Sequence, residues 1–438
     1  MSKLNKTAGI YTLGCKVNQY ESQAIAEELE RRGFYILPPT QACDVYIINT
    51  CTVTAESDRK ARQFIRRAIG KNADAYVIVT GCMAQTVAEA VVQIEGVDAV
   101  VGNTDKLRTA EIAYRLIKSG KKNSSPEIYI DNIDEADFEK MTITSFERTR
   151  AYVKIEDGCE SRCTYCIIPS ARGKIRSKPL EEVIDEVTLL TKNGCREIVL
   201  TGIETASYGK DLGDVDLATL LERIDAIEGI GRVRLGSLDP SLIKKDFAER
   251  ISKIRCLSPH FHLSLQSGSS RILALMKRKY NADQAMKAIE LLREYIPEVK
   301  FTTDIIVGFP NETEEDFNET VEFVKNAKFL TTHIFPYSKR DGTPAAVMKE
   351  QIPKDEKSRR LHILADIEAT SRKRLLEKEI SECPIKQVLF ETYKNGMATG
   401  HTPDFIEISV PSSRPLHAIT ATVRMISTDG NIVFGELV

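Results

Sequence analysis

The 438-residue chain has no tryptophan, and aromatic residues make up only 7% of it. A platform of exposed rings on which single-stranded nucleic acid stacks is therefore not evident in the composition. A dominant sign of charge is also missing: 61 Lys and Arg stand against 63 Asp and Glu, a formal net charge of −2. That excludes a global pull toward a polyanion and leaves any RNA contact to local basic clusters. No apolar run approaches the ~20 residues that cross a bilayer. The first residues, Met-Ser-Lys-Leu-Asn-Lys-Thr, lack the apolar segment of a signal peptide. No membrane contact and a cytoplasmic location are expected. With 42% hydrophobic and 28% charged residues the composition is that of a globular protein, with room for roughly three domains.

Cysteine, by contrast, occurs ten times. In a cytosolic chain this argues for metal or redox chemistry rather than a disulfide framework. Cys159, Cys163 and Cys166 form a C-x3-C-x2-C loop just past the strand-like run Ala151–Ile155. Thiolates held this close suit zinc or an iron–sulfur cluster. A structural zinc site is normally closed by four ligands, whereas this loop offers three and no histidine lies nearby. On a four-iron cluster, three cysteines leave one iron open to a substrate.

A second trio emerges from the order of elements. Up to about residue 120, strand runs at Ala8–Leu13, Asp44–Asn49, Ala75–Thr80 and Asp98–Val101 alternate with helix patterns, which predicts a parallel sheet. Cys15, Cys51 and Cys82 each follow one of the first three strands. Ligands bind outside the carboxyl ends of such strands, so one assignment gathers three distant cysteines at one edge. Gly14 and Gly81 suit crowded backbone there. Cys43, Cys195, Cys256 and Cys383 read as ordinary thiols. In the helix after Cys51, Arg59, Arg62 and Arg66 share a face and offer an RNA-contact surface.

Residues 119–148 read as a polar connection. From 149 to about 370, six strand–helix pairs predict a partial (β/α)6 barrel, whose chemistry belongs at the carboxyl ends of the strands. From about 375 to 438, five short strands with turns at Asn395-Gly396 and Asp429-Gly430 predict a small β-barrel. The expected units are 1–120, a linker 121–148, 149–370 and 375–438. The fold class is α/β with an appended β-barrel.

The cysteine loop, with Tyr165 before its last cysteine, resembles the signature of the radical S-adenosylmethionine (SAM) enzymes. The blocks around Cys15, Cys51 and Cys82 (Leu13–Asn18, Asn49–Thr54, Gly81–Gln85) resemble the N-terminal domain of the methylthiotransferases. Residues Pro169–Lys178 resemble that family's P-x-A-R-G-x-x-R-S-[RK] motif. Asn395–Met397 and Gly400–Phe405 resemble the TRAM domain, an RNA-binding barrel. The likeness covers essentially the whole chain, and the Leu-Gly-Cys-Lys-Val-Asn block is closest to the branch acting on N6-threonylcarbamoyladenosine in tRNA. Ser270, Asn311 and Asp341 depart from residues common in the family, without touching a cysteine.

The resemblance implies two 4Fe-4S clusters and SAM. Cys159, Cys163 and Cys166 would hold the catalytic, radical-generating cluster, and Cys15, Cys51 and Cys82 the auxiliary cluster that delivers sulfur. Tyr165, Thr201, Gly202, Ile203, Glu204, Ser264, Gln266, Val307 and Gly308 would contact SAM. Arg172, Lys174, Arg176 and Arg340 would contact the substrate. Implied partners are the tRNA anticodon stem-loop, an external electron donor and a sulfur source. Alternative substrates are isopentenyladenosine in tRNA or a ribosomal-protein aspartate. From another class, a non-catalytic RNA-binding protein with structural metal is an alternative that metal content and SAM cleavage distinguish.

Overall fold

The computed structural model describes residues 4–122, 125–146 and 149–438. The Met-Ser-Lys start and positions 123–124 and 147–148 of the expected connection lie outside the described residues. The first unit is a six-stranded sheet in the order β2-β1-β3-β4-β5-β6. Its strands are β1 (Lys6–Thr12), β2 (Phe34–Leu37), β3 (Val45–Thr50), β4 (Tyr76–Gly81), β5 (Ala99–Val101) and β6 (Glu127–Tyr129). All neighbours pair in parallel. Strands β3 and β4 are buried at every residue, the pattern of a strand covered on both faces.

Two of these strands were not expected, and one corrects the connection. β6 lies inside 121–148 and pairs with β5. A three-residue edge strand has no alternation to read. The residues after it are not a free linker either. Met141 and Ile143 are buried in the core of the second unit, and Ile133 is buried as well.

The second unit is a curved, open parallel sheet of six strands, as the strand–helix count predicts. They are β7 (Arg150–Lys154), β8 (Glu197–Thr201), β9 (Arg232–Leu235), β10 (His260–Gln266), β11 (Lys300–Val307) and β12 (Thr331–Pro336). The ladder steps at Gly236, after which Ser237–Leu238 takes up the pairing with β10. β7 and β12 remain free edges. Phe261, Leu263 and Leu265 of β10 enter the core under the surrounding helices. The two-residue period therefore turns His260, His262, Ser264 and Gln266 to the inner face.

Helix α1 (Lys16–Arg31) joins the two units. Ile25 and Leu29 pack under the first sheet, whereas Tyr20 and Ala24 belong to the core of the second. The Tyr20 hydroxyl lies 2.7 Å from the Met141 carbonyl and 3.0 Å from Glu186 Oε1. Glu27 accepts from the backbone and hydroxyls of Thr144 and Ser145. Burying an aromatic ring and these satisfied polar groups makes a rigid junction. Helix α2 (Ala55–Lys71) starts at Thr54, whose side chain caps Ser57 N, and buries Ala61, Ile65 and Ala68.

Helix α3 spans 29 residues, Lys354–Glu382. Its buried positions are Arg360, Leu364, Glu368 and Leu376. Because two of the four are charged, the sequence shows no apolar stripe. Strands β13 (Ile385–Lys394), β14 (Met397–His401), β15 (Glu407–Pro411), β16 (Thr420–Thr428) and β17 (Val433–Leu437) then close a barrel in the order β13-β14-β15-β17-β16. Asn395 and Gly396 both have positive φ, +52° and +77°, as a two-residue hairpin turn requires.

This barrel docks on the amino-terminal ends of the parallel strands. Arg234 donates to the Pro403 and Thr402 carbonyls at 2.8 Å each, and Arg232 to the His401 carbonyl at 3.0 Å. Phe405 is the plug. Its ring lies 4.4 Å from that of His260 and 4.6 Å from that of His401, with the Arg234 guanidinium 4.8 Å away.

Candidate active site between two cysteine trios

Cys15, Cys51 and Cys82 follow β1, β3 and β4, three adjacent strands, so the topology brings them together. The approach is close. Gly14 has φ +93°, and a Cβ there would sit 2.6 Å from Cys51 Cβ and 2.8 Å from its sulfur. At Gly81, φ +99°, a Cβ would meet the Thr50 carbonyl at 2.3 Å. Only glycine leaves room at these two positions. Cys51 and Cys82 are buried and Cys15 is exposed. Burial, reinforced by the Cys82 and Cys15 thiols, pushes the Cys51 thiol up to about 11.

A buried ion network lies beside this trio. Arg172 is fully buried. It pairs with Glu21 and, at 3.1 Å, with Asp157, and it donates to Asn18 Oδ1 at 2.6 Å. Lys106 is 3.3 Å from Glu21, and Lys154 bridges Glu21 (3.0 Å) and Asp157 (2.6 Å). Arg176 stands 3.6 Å from Asp157. Two carboxylates thus meet four cations. Burial opposes the Glu21 charge, but Arg172, Lys106 and Lys154 hold its carboxyl well below the usual range. The surplus positive charge is aimed at Cys82, whose sulfur lies 3.3 Å from Arg172 Nε. A thiolate ligand at Cys82 offsets that surplus.

The second trio sits on the loop after β7. Gly158 has no space for a side chain, because a Cβ would lie 1.8 Å from the Lys174 carbonyl. Cys159 Sγ is 3.2 Å from Glu204 Oε2, and Ser161 Oγ donates to the same carboxylate. Burial, the Glu204 carboxylate next, pushes the Cys159 thiol far up, and burial puts Cys166 at about 11. Cys163 receives a guanidinium: Arg278 Nη1 lies 3.3 Å from its sulfur, and Nη2 donates to Asp239 and the Ser264 carbonyl at 2.8 Å each. Each trio therefore has one arginine against one thiol. Among the described residues, the trio of metal-ligating side chains whose ligand atoms all fall within 4.8 Å of one another is His262, Asp304 and His333.

The expected substrate contacts are placed differently. Arg172 and Arg176 are buried in the ion network and present no face to a phosphate or carboxylate from solution. Arg176 also donates to the Ile133 and Lys174 carbonyls. Lys178 of the same motif is buried against Glu186 at 2.6 Å. Lys174 alone of these is exposed. Arg340 is tied to Asp58 (2.8 Å) and Thr52 Oγ1 (2.7 Å), locking the loop after β12 to the segment after Cys51.

The expected SAM contacts gather at the strand ends. Thr201 closes β8, with Gly202, Ile203 and Glu204 next, and the Glu204 amide donates to Glu156 Oε2 at 2.8 Å. Ser264 Oγ donates to the Leu238 carbonyl at 3.1 Å, and Gln266 has φ +74°. The Val307 side chain is in the core, and the Gly308 amide donates to Glu312 at 2.6 Å. Tyr165 is edge-on to Phe309 at 6.5 Å. Asn311 has φ +68°, a left-handed conformation that Asn tolerates.

Residues missed from the sequence are Asn18, Glu21, Lys106, Lys154, Asp157, Arg278 and Lys279. Lys277-Arg278-Lys279 reads as a solvated turn, yet the Arg278 side chain is only 8% exposed and lies at Cys163, and Lys279 is 3.3 Å from Glu204. Asn18 and Glu21, three and six residues after Cys15, had a visible helical spacing as their only signal.

Two family models match, the radical SAM superfamily over residues 153–324 and the uncharacterized protein family UPF0004 over residues 7–102. The threonylcarbamoyladenosine tRNA methylthiotransferase MtaB of Bacillus subtilis is 41% identical over 408 residues, 92% of this chain and 90% of that protein. The chain belongs to the radical SAM methylthiotransferases. A tRNA-2-methylthio-N(6)-dimethylallyladenosine synthase of Clostridium tetani is 38% identical over 82% of this chain and 80% of that protein. Among solved structures, the radical SAM methyltransferase TsrM of Kitasatospora setae, with cobalamin and a 4Fe-4S cluster bound, superposes with a TM-score of 0.56 at 17% identity. It covers 78% of this chain and 77% of that one. That likeness establishes the fold. A 4Fe-4S cluster and SAM are the cofactors of a radical SAM methylthiotransferase, and the donor sets fit them. No described helix of this one is long and apolar enough to cross a membrane.

Proposed function

We propose that this methylthiotransferase inserts a methylthio group at C2 of N6-threonylcarbamoyladenosine beside the tRNA anticodon, in the cytoplasm. The observation that carries the substrate is the 41% identity over 92% of the chain to a protein of that name. Two cysteine trios, each with a guanidinium at 3.3 Å from one sulfur, support a two-cluster chemistry. Cys159, Cys163 and Cys166 would hold the SAM-binding cluster, and Cys15, Cys51 and Cys82 the sulfur-carrying one. When bound, these groups supply the radical, sulfur and methyl chemistry that an unactivated aromatic C–H demands.

The chain's own residues position and neutralise. Arg172 and Arg278 stabilise thiolates at Cys82 and Cys163. Glu204 and Lys279, 3.3 Å apart, offer a carboxylate and an ammonium to the amino and carboxylate ends of the methionine part of SAM. α1 and the Arg340 clamp tie the two cysteine-bearing units together. The exposed Lys60, Arg66 and Arg67 of α2 and the C-terminal TRAM-like barrel would contact the anticodon stem-loop. An electron donor and a sulfur source come from outside.

The test is nucleoside mass spectrometry after anaerobic reaction of the reconstituted protein with SAM, reductant and two tRNAs. One carries threonylcarbamoyladenosine and the other isopentenyladenosine. A methylthio gain on the first alone supports the proposal. Gain on the second alone keeps the chemistry and overturns the substrate. SAM cleavage without gain on either points to a protein aspartate, and zinc with no SAM cleavage refutes the catalytic reading.

A further inference from the structure

The inner face of the open barrel carries a polar cluster that the cysteine chemistry does not use. Asp304 on β11 and His333 on β12 are register partners. His262 on β10 is the partner of Thr302, two residues before Asp304 and hence on the same face. The ligand atoms of the three side chains lie within 4.8 Å of one another. His262 Nε2 is 3.3 Å from Asp304 Oδ2, while its Nδ1 is held 2.9 Å from the Thr302 hydroxyl. The His262 and His333 rings are 6.0 Å apart.

A fourth group enters from the other unit. Lys16 follows Cys15 at the start of α1, which packs against β7. Its ammonium is within electrostatic reach of Arg150 on β7, Arg234 on β9 and Asp304 on β11, and it also acts on His333 on β12. Arg150 and Arg234 share Glu197. Among the described residues, Lys16 has neither an ion-pair nor a hydrogen-bond partner. An unpaired ammonium, two imidazoles and one carboxylate thus line one wall. That set offers an ammonium and imidazole N–H donors to an anion, and one carboxylate acceptor to an N–H or O–H.

We propose that Lys16, His262, Asp304 and His333 form the subsite for the amino-acid substituent of the target nucleoside. Lys16 and an imidazole pair with its carboxylate, and Asp304 accepts from its N–H or hydroxyl. The inference rests on the threonylcarbamoyl reading and names the residues that select it. A threonylcarbamoyl group carries one carboxylate, one hydroxyl and urea N–H groups, which match the wall in kind. A dimethylallyl group would cover Lys16 and His333 without offering either a partner, the mismatch that enforces strong selection. The location agrees. Lys16 adjoins a ligand of the sulfur-carrying cluster, and Asp304 is three residues before Val307, about 10 Å below the strand end. The purine then lies at the strand ends and its substituent below. A divalent cation on the His–Asp–His trio is the competing occupant, and the Lys16 ammonium, within electrostatic reach of Asp304, opposes it.

The test uses the reconstituted enzyme and three tRNAs, carrying threonylcarbamoyladenosine, its carboxylate-blocked methylamide, or dimethylallyladenosine. Blocking the carboxylate should lower wild-type kcat/KM about 10- to 100-fold, the range for losing a charge-assisted hydrogen bond. Lys16→Gln should show the same loss on the natural tRNA and little further loss on the blocked one. His333→Phe, on a strand that carries no cysteine, should lower kcat/KM on the natural tRNA at unchanged iron content. Equal wild-type rates on natural and blocked tRNA would overturn the subsite. So would wild-type behaviour of both variants, or a chelator-removable stoichiometric zinc or manganese required for turnover. If the wild type modifies only the dimethylallyl tRNA, the proposed function itself fails, a result distinct from each of these.

Discussion

Arg172→Met removes the centre of the buried network without adding bulk. Glu21 and Asp157 lose a shared guanidinium, Asn18 loses a donor, and Cys82 loses its cation. Breaking a buried ion pair from one side costs about 3–5 kcal/mol. Lys106, Lys154 and Arg176 remain to neutralise the carboxylates, so the lower end, about 3 kcal/mol, is expected. For units of this size that corresponds to a fall of roughly 6–12 °C in the unfolding transition. Because Arg172 also faces a thiol, the iron content after reconstitution should fall from about eight toward about four per chain, with the C-x3-C-x2-C cluster kept. Arg172→Lys keeps the charge but not the planar fork and should fall between. Calorimetry and iron analysis on the same preparations decide the matter. A variant within 1 kcal/mol of wild type that loads full iron would refute the assigned role.

Cys159→Ala should abolish SAM cleavage, whereas Cys51→Ala should spare cleavage and stop methylthio insertion. Liquid chromatography of 5′-deoxyadenosine and of the nucleosides separates the two. Glu139 accepts from Leu107 N, and burial pushes its carboxyl up to about 7. A carboxyl raised on folding contributes stability that is complete below its unfolded value and is lost as pH climbs to the folded one. The loss between about pH 4.5 and 7 is about 3 kcal/mol. Glu139→Gln should therefore gain about that much on wild type between pH 4.5 and 8 in urea titrations, and a pH-independent difference would contradict it. Phe405→Ala removes the ring between His260 and His401 and should cost about 2 kcal/mol of docking for the C-terminal barrel. Faster proteolysis between α3 and β13 would report it.

How much of this was legible beforehand depends on range. Both cysteine trios were, one from a nine-residue loop and the other from strand order, since a residue after a parallel strand must lie at the sheet edge. Five strands of the last sixty residues were legible because alternation and turn residues are local. The helix Lys354–Glu382 was only partly so, since its buried face contains Arg360 and Glu368.

The amino-acid sequence by itself therefore determined the two sulfur-rich edges, the six-stranded open barrel and the closed barrel after it. Each follows from short-range periodicity and spacing. Only the tertiary structure decided the fate of the cations. Arg172, Arg176 and Lys178 read as a basic segment beside an open site. Arg172 is buried because its partner comes from elsewhere, Glu21 lying 151 residues away, while Lys178 is buried against the Met141 carbonyl and Glu186. Arg278 and Lys279 read as a surface turn and stand at Cys163 and Glu204 for the same reason. A charge is indifferent to its neighbours in sequence. Its role is set by the dielectric and the counter-charges that folding places around it.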